Sequence, residues 1–98
     1  MRYSFEKEAR EEFLGQISYY RNKDVGLSRD FVEKLKNTVQ RILEFPEAWQ
    51  KIDDKGVRRA LVEQFPFAVL YKYDKSNRHV TIFAIMHTKR APGYWQNR

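Results

Sequence analysis

Apolar residues recur at helical spacing in the first half of the chain and alternate with polar ones in the second half. Tyr3-Ser4-Phe5 is a short alternating piece that predicts a first strand. From Glu6 to about Asn22 the period lengthens: Ala9, Phe13, Ile17 and Tyr20 recur every three or four residues with charge between them, predicting an amphipathic helix. Asp24-Val25-Gly26-Leu27 interrupts it, with Gly26 suited to a position just past a helix end. Ser28 is the expected N-cap of a second helix, whose apolar face is Phe31, Leu35, Val39 and Ile42, widened by Val32 and Leu43. Pro46 ends it, because proline has no amide to continue the ladder. Two such helices with a short break predict an antiparallel hairpin of helices.

Beyond Trp49 the period becomes that of strands. Val57–Val62, Phe67–Tyr73 and His79–His87 are β-rich runs, and Asp74-Lys75-Ser76-Asn77-Arg78 has the composition of a hairpin loop. The predicted order is β-α-α-β-β-β: an α+β fold with an N-terminal strand and a two-helix antiparallel hairpin packed on a small antiparallel sheet. By alternation Val80, Ile82, Ala84 and Met86 face the helices, and His79, Thr81, Phe83, Ile85 and His87 make a mixed opposite face.

Composition narrows the class. At 98 residues the chain suits one domain, residues 1–98, with no linker or repeat inside it. Seven Phe, six Tyr and two Trp give a small domain the large side chains that its core requires. The absence of cysteine excludes disulfides and thiolate zinc sites. The N-terminus has no signal-peptide pattern and no apolar run reaches the roughly 20 residues of a membrane span, so a cytoplasmic location is expected. A net charge of +6 favours anionic partners, nucleic acid or acidic protein, although a solvated surface accounts for it as readily.

Three groups of residues could carry chemistry. Arg58-Arg59 lie on a predicted strand, where alternation sends them to opposite faces, either as functional cations or as edge charges. His87-Thr88-Lys89-Arg90 close the last strand: a histidine for proton transfer or structure, and an arginine whose fork suits phosphate. Pro92-Gly93-Tyr94-Trp95 would stack on a ligand or fold back over the sheet. There is no glycine-rich phosphate loop, no HExxH and no nucleophile elbow, and no convincing metal-ligand set, so neither metal nor cofactor is expected.

Val57-Arg58-Arg59-Ala60-Leu61, then Phe65-Pro66-Phe67-Ala68-Val69-Leu70-Tyr71, followed by the strand into His87, Arg90, Pro92, Tyr94 and Trp95, resembles in order the blocks of the RelE/ParE superfamily. Tyr19-Tyr20, Phe45-Pro46 and Trp49 fit the same pattern, so the resemblance spans essentially the whole chain. These are toxins of type II toxin–antitoxin systems, the plasmid stabilisation family. The resemblance implies a basic open sheet face and a cognate antitoxin, for which Phe13, Ile17, Tyr20, Phe31 and Leu35 are the expected contacts. It leaves two mechanisms. RelE-like members cleave mRNA in the ribosome as mRNA interferases, and here Arg59, His87, Arg90 and Tyr94 would form the catalytic set. ParE-like members inhibit DNA gyrase by binding, with Arg58, Arg59, Lys89, Arg90 and Trp95 as the expected target contacts. Ala68 stands where the ribonuclease branch usually carries an arginine, which favours the ParE-like, non-enzymatic reading. A third alternative is an attenuated member that binds antitoxin without toxicity.

Overall fold

The computed structural model describes residues 1–91 and 93–98, in the order β1 (Arg2–Phe5), α1 (Lys7–Lys23), α2 (Val25–Glu44), β2 (Arg58–Leu61), β3 (Phe67–Asp74) and β4 (His79–His87). The predicted α+β order holds. The two helices are separated by one residue, Asp24, in extended conformation. Its amide donates to the Tyr20 carbonyl and closes α1, while its carboxylate accepts from the Gly26 amide at 2.7 Å and caps α2. Asp24 therefore takes the capping role expected of Ser28. Gly26 falls in the first turn of α2, and Ser28 is buried in the second, its hydroxyl donating to the Ile17 carbonyl at 3.4 Å.

The four strands run β1-β4-β3-β2. Antiparallel pairing holds for β2–β3 and β3–β4, but β1 lies parallel to β4, with Arg2 opposite His79 and Phe5 opposite Ile82. The sheet is mixed rather than antiparallel. The helix hairpin returns the chain to the end of the sheet where β1 left off, so β1 takes the same direction as the last strand.

A second correction lies inside β4. Leu70 is opposite Ala84 and Tyr71 is opposite Ile82, so Phe83 is one residue too many and β4 carries a bulge. An inserted residue reverses which face each later side chain occupies. Val80 and Ile82 join the helix-side core as expected, but Ala84 and Met86 pass to the opposite face and Ile85 moves to the helices.

The sheet consequently has a core on each side. Toward the helices, Ala9, Phe31, Leu35, Val39 and Ile42 pack on Ala60, Val62, Phe67, Val69, Tyr71, Val80, Ile82 and Ile85. On the other side Val57, Ala68, Leu70, Phe83, Ala84 and Met86 form a smaller apolar cluster, closed by Trp95 with Tyr94 beside it. The expected basic open face is therefore apolar at its centre. Its rim, around a hollow of about 250 Å³, mixes Lys55, Lys72 and Arg98 with Glu6, Asp53 and Asp54. No helix among the described residues is long and apolar enough to cross a membrane.

Candidate functional site

Arg58 and Arg59 point to opposite sides of β2, as alternation requires. Arg58 lies opposite Tyr71 on the helix side, and its Nη1 donates to the carbonyls of Glu47 and Trp49 at 3.0 and 2.6 Å. The Tyr71 hydroxyl donates to the Pro46 carbonyl at 2.8 Å. These two side chains tie the segment after α2 to the sheet, so Arg58 is a structural tether rather than a free target contact. Arg59 lies opposite Leu70 on the other face, half-buried.

The end of β4 is organised by a residue that the sequence did not single out for chemistry. Glu12, on α1, accepts at Oε1 from the Ile85 amide at 3.0 Å and at Oε2 from the Tyr94 hydroxyl at 2.7 Å. The Arg98 guanidinium donates to both oxygens, at 2.8 and 3.0 Å, and to the Phe83 carbonyl at 3.0 Å. The Glu12–Arg98 pair is largely shielded, with side chains 20% and 16% exposed. Arg90 and Arg98 both lie over the Tyr94 ring, at 4.2 and 4.9 Å from its centroid. One carboxylate thus joins α1, the strand beyond the bulge and the C-terminal segment. Glu12 lies three residues after Ala9, beside the buried stripe of α1, and a carboxylate there calls for a partner. Nothing in the linear pattern says that the partners come from residues 85, 94 and 98.

Of the four residues expected in a nuclease, His87, Arg90 and Tyr94 line one hollow of about 240 Å³ together with Glu11, Glu12 and Gln16, and Arg59 is not among them. The bulge has moved His87 to the helix side, edge-on to Phe67 with ring centroids 5.2 Å apart. Its Nδ1 accepts from the Lys89 amide at 3.1 Å, so the other ring nitrogen carries the proton in the neutral form. Burial and the neighbouring Glu12 carboxylate push the Tyr94 hydroxyl above the ordinary tyrosine range. Trp95 is 7% exposed, 5.5 Å from the Phe83 ring, which makes it a core residue and not a target contact. Lys89 and Arg90 remain exposed in the turn after β4.

Two of the expected antitoxin contacts are also corrected. Phe31 and Leu35 are 0% and 1% exposed and lie inside the helix-side core, where no partner reaches them without unfolding. Phe13, Ile17 and Tyr20 are half-buried. Ile17 lines a groove of about 640 Å³ along the helix hairpin with Val25, Val32, Arg21, Arg29 and Lys36. Among the described residues no group of three or more His, Asp or Glu could hold a metal ion.

Two tyrosines should register these environments on alkaline titration. Burial pushes the Tyr71 hydroxyl up to about 12, and Tyr94 is raised as well. Both are higher folded than unfolded, so their contribution is fully present below about pH 10, the unfolded tyrosine value. It falls away as pH rises through the folded values. Thermal midpoints should hold up to about pH 10 and drop above it, and phenolate absorbance should rise in a second step as the fold is lost. Simple titration of all six tyrosines near the unfolded value, with the fold intact, would contradict this.

The fold and this site define a small α+β protein with a helix hairpin on one face of its sheet and a clamped C-terminal segment on the other. Its architecture is shared with a chain of the chromosomal ParDE toxin–antitoxin system from P. aeruginosa. The TM-score is 0.76 at 14% identity, over 91% of this chain and 97% of that one. The family model of the ParE toxin of the type II toxin–antitoxin system parDE matches residues 3–92, and the chain belongs to that family. No curated protein matches the sequence.

Proposed function

We propose that this ParE-family chain is a growth inhibitor that acts by binding, with DNA gyrase as its target, and is neutralised by a cognate antitoxin. The observation that carries the non-catalytic reading is the Glu12 clamp. It engages the Tyr94 hydroxyl and Arg98 internally, while the lone pair of His87 Nδ1 is held by the Lys89 amide. Phosphodiester cleavage needs a base, an acid and cations converging on one phosphate. Ala68 is buried in the open-face core and supplies no cation there. Arg59, Lys89 and Arg90 are the cations that this reading assigns to the target.

For the antitoxin, the groove along the hairpin offers Ile17, Val25 and Val32 among three cations, Arg21, Arg29 and Lys36, and one acid, Glu33, a net positive lining that suits an amphipathic segment with acidic flanks. Val25 is 54% exposed, as befits a surface that a partner covers.

Inducible expression without antitoxin tests the whole reading. Growth arrest with double-strand DNA breaks, an unchanged set of mRNA ends, inhibition of gyrase supercoiling by the purified chain, and rescue by the antitoxin are expected. New mRNA ends within minutes of induction would establish a ribosome-dependent nuclease instead. Unimpaired growth would mark an attenuated member.

A further inference from the structure

Between α1 and the end of β4 lies a trough, separate from the hairpin groove, that has the clamp residues Glu12 and Tyr94 in its wall at one end. It consists of two hollows that share Gln16 and His87. One, of about 390 Å³, is lined by Tyr19, Tyr20 and Lys23, and the other is the hollow that reaches Arg90 and Tyr94. Tyr19 is 54% exposed, edge-on to Tyr20 at 5.7 Å, with the Lys23 ammonium 5.0 Å from its ring centroid. An exposed aromatic ring beside a flexible cation, with the edge of the half-buried Tyr20 next to it, offers a base a stacking surface and its phosphate a charge.

Gly15 is the second, independent observation. It sits in the middle of α1 on the wall of this trough, and a Cβ placed there would meet nothing within 4 Å. Glycine weakens a helix interior, and here no contact within the protein requires it. A missing side chain that nothing internal fills is explained by an occupant lying close to the helix backbone.

We infer that the trough along α1 from Tyr19 to Arg90 binds a short stretch of single-stranded nucleic acid, without cleaving it. Bases stack at the Tyr19–Tyr20–His87 end, and the backbone runs past Gly15 between Lys23 and Arg90. The charge favours the Tyr19 end, which has no acid in its lining. At the other end Glu12 is paired with Arg98, and Glu11 lines the hollow with Arg90 as the one carboxylate there without an ion pair among the described residues. The contacts invoked are to base faces and phosphates, which DNA and RNA share, so both strands should bind alike. Arg90 is common to this site and to the target contacts proposed above, so the test uses variants at Tyr19, Lys23 and Gly15 alone and is read on the isolated chain, where the gyrase reading does not enter.

Fluorescence anisotropy of the full chain with labelled oligothymidylate and oligouridylate, over a salt series, tests this. Both strands should bind within about threefold of each other and more tightly than a duplex of the same length. Tyr19→Ala should weaken binding about tenfold, in the range found for one lost base stack. Lys23→Ala should reduce the salt slope by about 0.7. Gly15→Leu gives the sharpest outcome: its thermal midpoint should rise, since leucine favours the helix and meets open space, while affinity falls about tenfold by steric block. Equal binding of duplex, or affinity unchanged by both Tyr19→Ala and Gly15→Leu, would reduce the interaction to diffuse charge and overturn the inference. Polyglutamate binding as tightly as the oligonucleotides and losing as much on Tyr19→Ala would also overturn it, by making the trough a site for acidic protein.

Discussion

Phe31→Ala should lower the unfolding free energy by about 3–5 kcal/mol, enough to consume most of the margin of a chain this size. Phe31 is fully buried, and the rings of Phe13, Tyr20, Phe65 and Phe67 surround it with centroids 5.2 to 6.0 Å away. These rings come from α1, from β3 and from the loop before it, so the cavity left by alanine could close only by moving three parts of the fold together. Interiors packed this closely relax only in part, which is why the cost exceeds that of transferring a benzyl group to water. Urea denaturation followed by far-ultraviolet circular dichroism measures the loss. A change under about 1.5 kcal/mol would mean that the aromatic cluster rearranges freely and is not the keystone that its geometry implies.

Glu12→Ala should have the next largest effect, a loss on the order of 3 kcal/mol, because it strands several donors at once. The Ile85 amide, the Tyr94 hydroxyl and the Arg98 guanidinium all lose an acceptor, and Arg98 becomes a shielded cation without a counter-ion. Tyr94→Phe removes only one neutral donor and should cost about 1 kcal/mol. The larger variant has a visible signature. With the C-terminal segment released, Trp95 should leave Phe83 and its emission should shift to the red, read cleanly in a Trp49→Phe background. Glu12→Gln, which keeps an acceptor for the Ile85 amide but loses the charge, should fall between the two. Should Glu12→Ala prove as stable as the parent, with Trp95 emission unmoved, Trp95 packing alone would be holding the segment.

Both variants rest on contacts of different legibility. The stripe containing Phe31 was readable because helical periodicity is a local property, and β4 was readable to its end residues because nine successive positions share one strand composition. Orientation within β4 was lost at Phe83. A bulge depends on how the partner strand pairs, and Leu70 and Tyr71 carry no mark of it, so alternation misassigned Ala84, Ile85, Met86 and His87. The helix junction failed for a different reason. Asp24 and Ser28 are equally good caps by chemistry, and the choice was made by the tertiary return of α2 onto α1, which buries Ser28. Parallel pairing of β1 was invisible because its partner lies almost the whole chain away. The candidate site inherits these limits. His87, Arg90 and Tyr94 were found by residue type and do come together, whereas Arg58 and Trp95 carried suitable chemistry yet are occupied by the fold, and Glu12 could be recognised only through its distant partners.

The pairing of the first strand with the last also bears on how the protein comes into being. A chain leaving the ribosome can form the helix hairpin early, since those contacts are local, but Arg2–Phe5 has no partner until His79–Ile82 has been made. Sheet closure and the Glu12 clamp are thus among the last events of biosynthesis, and both link the two ends of the chain. A nascent or prematurely terminated chain would present the hairpin groove while lacking the finished sheet. The surface proposed above for an antitoxin is thus formed from local contacts, before the two ends of the chain have met.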